Sequence, residues 1–384
     1  TSAFAQVVMN FVLILGAIIA AYFESRAATV VLAISALAGG ILQVLAQMPA
    51  LQRSGFSLFP SVKVFSSASK QVLHLMLPAI LGAAIYQVSI FLSTQLASIL
   101  ETGSVSWLSY ADRLVQLPIG VFSIALSSVL LPTLSNAKAQ GNEEGFRESL
   151  ISALRFTSFV IIPISACMVI LAEPLVQILF ERGNFNTVAT KRVAQAVQYF
   201  AIGLWAVSCH SMLVRACNAQ KDTKTPTLIG LLTLLSQFFF SLILMGTPSL
   251  EAPSSFQKIV MTLQNLVGQY LPLFDLKHAG LALSSTLSFF VSAGVLGFIV
   301  HRRVESLAWR SFLTSTFKSL FSSAIVCFIV LGISRFISSP FLFLSLSILI
   351  MFIFYPLLAL VLKSRELIEF HRHTKSLFSR HPKP

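Results

Sequence analysis

An aspartate and an arginine, Asp112 and Arg113, stand side by side within an otherwise apolar run, SVSWLSYADRLVQLPIGVFSIALSS. On insertion scales an arginine at the centre of a bilayer costs about 2.5–3.5 kcal/mol, so such a residue needs a partner, water or a ligand. Helical spacing places Ser106, Ser109, Arg113, Gln116, Gly120, Ser123 and Ser127 on one stripe, all polar or small. Trp107, Leu108, Leu114, Val115, Val121 and Leu126 lie away from it. A polar stripe along most of a span either lines a watery cavity or packs on another polar helix. Guanidinium offers a planar fork suited to phosphate or carboxylate, which makes Arg113 a candidate anion contact. The other reading is a structural arginine satisfied by Asp112 or by a carbonyl. Neighbouring residues point about 100° apart on a helix, which makes Asp112 a poor partner. Pro118 removes a backbone donor beside the charge and is expected to kink the helix.

Other polar residues sit in apolar runs. Gln87, Thr94 and Ser98 share a helical face. Interhelical hydrogen bonding is the first reading of that face, and Gln87 is a second candidate for contact with a ligand. Gln237 stands alone and reads as structural, while Asn10 and Gln43 are open to either reading. Arg215 lies near a span end, from which it can snorkel to headgroups. No G-x-x-x-x-G-K-[ST] loop, H-E-x-x-H or G-x-S-x-G occurs, and no carboxylates pair within a run. A transporter is expected rather than an enzyme, with no cofactor and no metal. Cys167, Cys209, Cys217 and Cys327 form no C-x-x-C pair and read as free thiols.

These residues must be carried by membrane helices. Of 384 residues, 55% are hydrophobic and only 11% charged, against roughly 25% charged in a soluble domain. That excludes a soluble enzyme and a disordered chain. Ten continuous apolar runs are long enough to span a bilayer: 4–22, 29–48, 72–100, 105–134, 150–171, 193–214, 226–245, 278–300, 312–333 and 341–362. Continuous rather than alternating hydrophobicity excludes a β-barrel. The expected class is an all-α integral membrane protein with about ten transmembrane helices.

The net charge of +13 comes from basic residues that lie mostly in short loops, where topology signals and anionic lipids place them, and not from a nucleic-acid surface. Alternate loops and the tail hold 16 Lys and Arg, while the opposite set holds 7. The positive-inside rule puts the richer set, the C-terminal tail and residue 1 in the cytoplasm. Outside lies a long loop, Gly246–Lys277. Within it Phe256, Ile259, Val260, Leu263, Leu266, Val267, Tyr270 and Leu271 recur at helical spacing. This predicts an amphipathic helix, either in the membrane interface or packed as a lid over the outer mouth. The tail after Lys363 is basic, with His371, His373 and His381, and is expected to meet the lipid surface rather than bind metal. Thr1 stands first, with no charged leader, so the chain is expected to begin inside a longer protein.

Five segments in this order carry a family resemblance: Leu77–Ser89 (LPAILGAAIYQVS), Gly103–Ser135, Leu179–Phe185 (LFERGNF), Leu213–Pro226 (LVRACNAQKDTKTP) and Leu276–Ser284 (LKHAGLALS). The chain resembles the MurJ (MviN) family of lipid II flippases, within the superfamily of drug and polysaccharide exporters. The resemblance implies a fourteen-helix, two-lobe transporter of the bacterial inner membrane, of which this chain covers the C-terminal part. Residues 1–50 would end the first lobe, 51–71 link, 72–301 form the second lobe, 302–363 add two helices and 364–384 form the tail. It implies lipid II as substrate, cell-wall synthases as further partners, and alternating access; the alternatives are another lipid-linked oligosaccharide flippase or drug exporter of the superfamily, or a non-transporting membrane scaffold for cell-wall synthesis. Arg113 matches the cavity arginine of the YADR motif and would hold the pyrophosphate, with Asp112, Ser106, Ser109, Gln116, Ser123 and Gln87 beside it. The matching helices lack acidic residues besides Asp112, so a carboxylate sodium site is not expected.

Overall fold

A segment with no water around it must satisfy its backbone internally, and a helix does this within one stretch of chain. The structure, a computed structural model, describes residues 2–53, 84–248, 255–304, 307–337, 339–364 and 366–367. Among these the only extended pairing is a single bridge, Met245 with Asp275. The rest of the regular structure is helical: α1 (Ser2–Ala20), α2 (Ser25–Arg53), α3 (84–98), α4 (Ser104–Pro118), a π-helical turn (Ile119–Ile124), α5 (Ala125–Ala139), α6 (Glu143–Phe180), α7 (Thr187–Ala219), α8 (Lys224–Leu244), α9 (Ser255–Gly268), α10 (Lys277–Arg303), α11 (Trp309–Ser334) and α12 (Pro340–Val361).

Eight helical stretches among the described residues are long and apolar enough to cross a membrane, with α4, the π turn and α5 counted as one. The expected count of about ten is not confirmed among the described residues. The apolar part of α1, Ala5–Ala20, is shorter, and the third expected span is described only from residue 84. Most of the expected 51–71 linker and of the 364–384 tail also lies outside the described residues.

The chain divides into two units, Thr1–Met76 and Leu77–Pro384. In the first, α1 packs along α2 through small residues: a Cβ on Gly16 would meet Ser35, and one on Gly39 would touch Met9 and Val12. Gln43 donates to Gln6 at 3.3 Å.

In the second unit, α7 is the central helix, packed along α6 and α10. One buried cluster joins α5, α6, α7 and α10 through Leu134, Phe146, Leu150, Leu154, Met212 and Leu296. A second joins α4 to α6 and α7 through Ala111, Leu114, Val115, Ala172, Val193 and Val197. Two helix starts are capped by asparagine: the Asn142 and Asn186 side chains accept the Gly145 and Ala189 backbone N–H groups at the starts of α6 and α7. The α11–α12 pair lies on α6 through Leu171, Val326, Val330, Ile350 and Tyr355. There the Tyr355 hydroxyl donates to the Phe159 carbonyl at 2.6 Å.

Close approach sets the α8–α10 crossing. A Cβ on Gly280 would lie 2.1 Å from the Leu244 carbonyl oxygen, a backbone atom that cannot swing aside. Gly280→Ala should therefore destabilise the protein by about 1–3 kcal/mol, the usual cost of overpacking. A lower thermal midpoint in detergent is the expected reading, and an unchanged midpoint would show that the crossing relaxes freely.

Candidate anion-binding site

The site is built on α4. Its packed side is Ala111, Leu114 and Val115, which face α6 and α7. Its first turn is fixed by charge. Glu101, in the α3–α4 connection, pairs with Arg192 of α7 and with Lys277 of α10, each at 3.2 Å. The Arg192 guanidinium also lies over the Trp107 ring, 5.7 Å from its centroid. Three helices thus set the rotation of α4 about its axis.

That rotation turns the polar stripe outward. Ser106, Ser109, Asp112, Arg113, Gln116 and Gly120 are all exposed. At about 100° per residue, Ser109, Gly120 and Arg113 fall at the middle of the exposed arc, with Val105 and Tyr110 towards its edges. No hydrogen bond or ion pair joins Arg113 to another described residue. Asp112 is engaged elsewhere: its Oδ2 accepts from Gln116 Nε2 at 2.5 Å, one turn along. The Asp112–Gln116 pair leaves the fork of Arg113 presented to whatever enters that face. A planar, doubly donating cation on a polar helical face can take two oxygens of a phosphate or a carboxylate at once.

The stripe does not continue as one face. Ser123 is buried, its hydroxyl 2.6 Å from that of Ser208 on α7. Ser127 is buried as well and accepts from Arg215 Nε at 3.3 Å. The cause is the π-helical turn after Pro118. A π turn holds more residues than an α turn, so one such turn sets the following helix back by roughly one residue, about 100°. Positions that would have stayed with Arg113 are carried round to α7. The wide turn begins directly after Pro118, the site of the expected kink. Arg215, expected near headgroups, donates its Nε–H to Ser127.

Gln87 is exposed on α3, as are Thr94 and Ser98, and no described bond places Gln87 with Arg113. The interhelical bonding expected of α3 comes from other residues. Gln237 of α8 accepts from Ser89 at 2.7 Å and donates to Ser93 at 2.8 Å. The serines stand four apart and face a lone glutamine, a signal present in the sequence but not combined there.

A family model described as lipid II flippase MurJ matches residues 1–352. The chain belongs to the MurJ lipid II flippase family. A relative from Haemophilus influenzae, named probable lipid II flippase MurJ, is 34% identical over 220 residues, covering 55% of this chain and 43% of the relative. Another from Burkholderia cenocepacia, named lipid II flippase MurJ, is 32% identical over 246 residues, covering 62% of this chain and 48% of the relative. The matched part is thus less than half the length of either relative. A solved structure of a lipid II flippase MurJ in an inward closed conformation shares the fold. Its TM-score is 0.73 at 22% identity, covering 96% of this chain and 68% of that one. The chain thus shares the fold of about two thirds of that structure, and α4 lies within the residues that the family model matches.

Proposed function

We propose that this chain moves lipid II, the lipid-linked precursor of peptidoglycan, from the inner to the outer leaflet of the bacterial cytoplasmic membrane. Family membership supports the substrate. The observation that carries the site is Arg113, an exposed guanidinium with no described hydrogen bond or ion pair, on the polar face of a helix long and apolar enough to cross a membrane. Arg113 would grip the pyrophosphate. Ser106, Ser109 and Gln116 would accompany the head group along the same face, and the Asp112–Gln116 bond would keep Asp112 from occupying the guanidinium. The site would be exposed to the two sides of the membrane in turn, as in other secondary transporters. On this reading residues 1–50 close a first lobe, 72–301 form a second and 302–363 add a pair of helices. The C-terminal tail is cytoplasmic by the excess of Lys and Arg on its side.

The test uses bacterial cells depleted of their own lipid II flippase and expressing the full-length gene. An external toxin that cleaves only outward-facing lipid II reports transport. Restored cleavage product is expected. No cleavage while the protein is folded and in the membrane would reject lipid II as the cargo and favour another lipid-linked glycan.

A further inference from the structure

The α9 helix is rolled relative to its own apolar stripe. At 100° per residue, the apolar positions Phe256, Ile259, Val260, Leu263, Leu266, Val267 and Tyr270 share one broad stripe. An amphipathic helix serving only as a lid would centre that stripe on the bundle. Instead the buried side is centred on Val260, which packs among Leu96, Leu242, Met245 and Leu281, and it takes in Gln257 and Gln264. The reason is a helix end in need of donors. Gln264 Nε2 donates to the carbonyls of Leu242 at 3.1 Å and Gly246 at 2.8 Å, which close the end of α8.

The roll divides most of α9 into three sectors, with Met261 exposed on the edge between the packed and polar sides. One is packed on the outer ends of α3, α8 and α10. Opposite it, Lys258, Thr262, Asn265 and Gln269 are exposed and polar. About a quarter turn from both, Ile259, Leu266 and Tyr270 are exposed and apolar, and Leu271, Leu273 and Phe274 extend that surface along the following chain. Although Leu273 lies along Gly268, each of these six side chains keeps more than a third of its surface exposed among the described residues.

The helix is also held at the membrane surface. The chain leaves α8 at Met245 and returns against it: the Phe274 N–H donates to the Ile243 carbonyl at 2.8 Å, and the Leu276 N–H to the Leu244 carbonyl at 3.1 Å. Both α8 and α10 are long and apolar enough to cross the bilayer, so α9 cannot rise away from the level at which they leave it. Below this level α8 exposes Leu235 and Phe239 and α3 exposes Ile90 and Phe91, side chains suited to a lipid-facing belt. An apolar flank ending in tyrosine, set at the mouth of two spans, fits the headgroup and upper acyl region.

We propose that α9 is an interfacial foot: its Ile259–Leu266–Tyr270 flank and the Leu271–Phe274 segment insert into the outer leaflet while its glutamine edge stays docked on α8. The bundle lies on its packed side, lipid beside it and water on its polar side. The occupant of the flank is bilayer lipid, not a second protein.

Spin labels on the whole chain in lipid nanodiscs test this. Cysteine is introduced singly as Leu266→Cys, Tyr270→Cys, Thr262→Cys and Gln269→Cys. The unsubstituted chain serves as the blank for half-buried Cys167 and Cys327. All four sites are exposed, so the labels do not disturb packing. Labels at 266 and 270 should collide with oxygen several-fold more than with a water-soluble nickel chelate, and labels at 262 and 269 should show the reverse. Nickel access at 266 and 270 equal to that at 262 would place the flank in water and overturn the proposal. Shielding from both reagents would place protein there, a second copy or another partner, and would overturn it equally.

Discussion

Arg113→Ala should abolish toxin-accessible lipid II in depleted cells while leaving the protein as abundant and as thermally stable as the wild type. The two halves of that result follow from the same geometry. Arg113 is exposed and makes no described hydrogen bond or ion pair, so its removal takes from the fold little beyond the charge it sets beside Asp112. Losing a guanidinium from a membrane span relieves an insertion cost of about 2.5–3.5 kcal/mol. On the ligand side, a hydrogen bond to a charged group contributes about 1.5–3 kcal/mol, and a bidentate grip on pyrophosphate has two. Loss of about 3 kcal/mol is a factor of about a hundred in affinity, at a tenfold change per 1.4 kcal/mol. Arg113→Lys keeps the charge without the fork and should retain intermediate transport. A non-transporting scaffold would tolerate both changes. Full activity of the alanine variant would therefore reject the anion-site assignment, and an unfolded variant would show that Arg113 is structural after all.

The largest loss of stability is expected at Glu366→Ala. Glu366 accepts from Arg155 of α6 at 2.7 Å, from Ser315 of α11 at 2.8 Å and from Ser364 at 2.8 Å. The Arg155 and Glu366 side chains are only 9% and 3% exposed. Removing one member of a buried pair costs about 3–5 kcal/mol, because the remaining charge stays out of water. Glu366→Gln should be milder, since it keeps hydrogen-bonding capacity. The thermal midpoint should fall with alanine and fall less with glutamine. Equal midpoints in all three proteins would show that the pair contributes nothing. Acid should reproduce the effect. Burial alone would raise the Glu366 pKa. Hydrogen bonds from its own backbone N–H, Ser315, Ser364 and Arg155 outweigh that and hold it below the ordinary 4.5. A carboxylate lowered in the fold adds stability that is complete above its unfolded pKa and is lost as pH falls through the folded one. Wild type should thus lose stability below about pH 4.5 more steeply than Glu366→Gln.

The helices were readable because hydrophobicity in this chain is continuous, and a span announces itself over about twenty residues. The amphipathic α9 and the solitary Arg113 were readable for the same reason: each breaks a strong local pattern. The misread features arise from packing over distance. Ser123 and Ser127 belong to the Arg113 stripe by counting, and only the π turn moves them onto α7. Nothing in IGVFSI states that the helix will widen there, because the widening is settled by what the second half must meet. Arg155 and Glu366 are 211 residues apart, and the basic residues around Glu366 made the tail read as a lipid-facing segment. A carboxylate among many cations is a weak signal until the fold delivers its partner.

The π turn between α4 and α5 makes one continuous rod behave as two keyed shafts. The half before Pro118 turns its polar teeth outward, while the half after Ile124 is splined into α7 by Ser123 and Ser127. Register in Ile119–Ile124 then acts as gearing. Excising a single residue there would return the rod to one phase and swing either the grip or the spline by about a quarter turn. Substitutions that keep the length of this stretch leave the gearing intact, whereas a deletion of one residue disengages one half from its work.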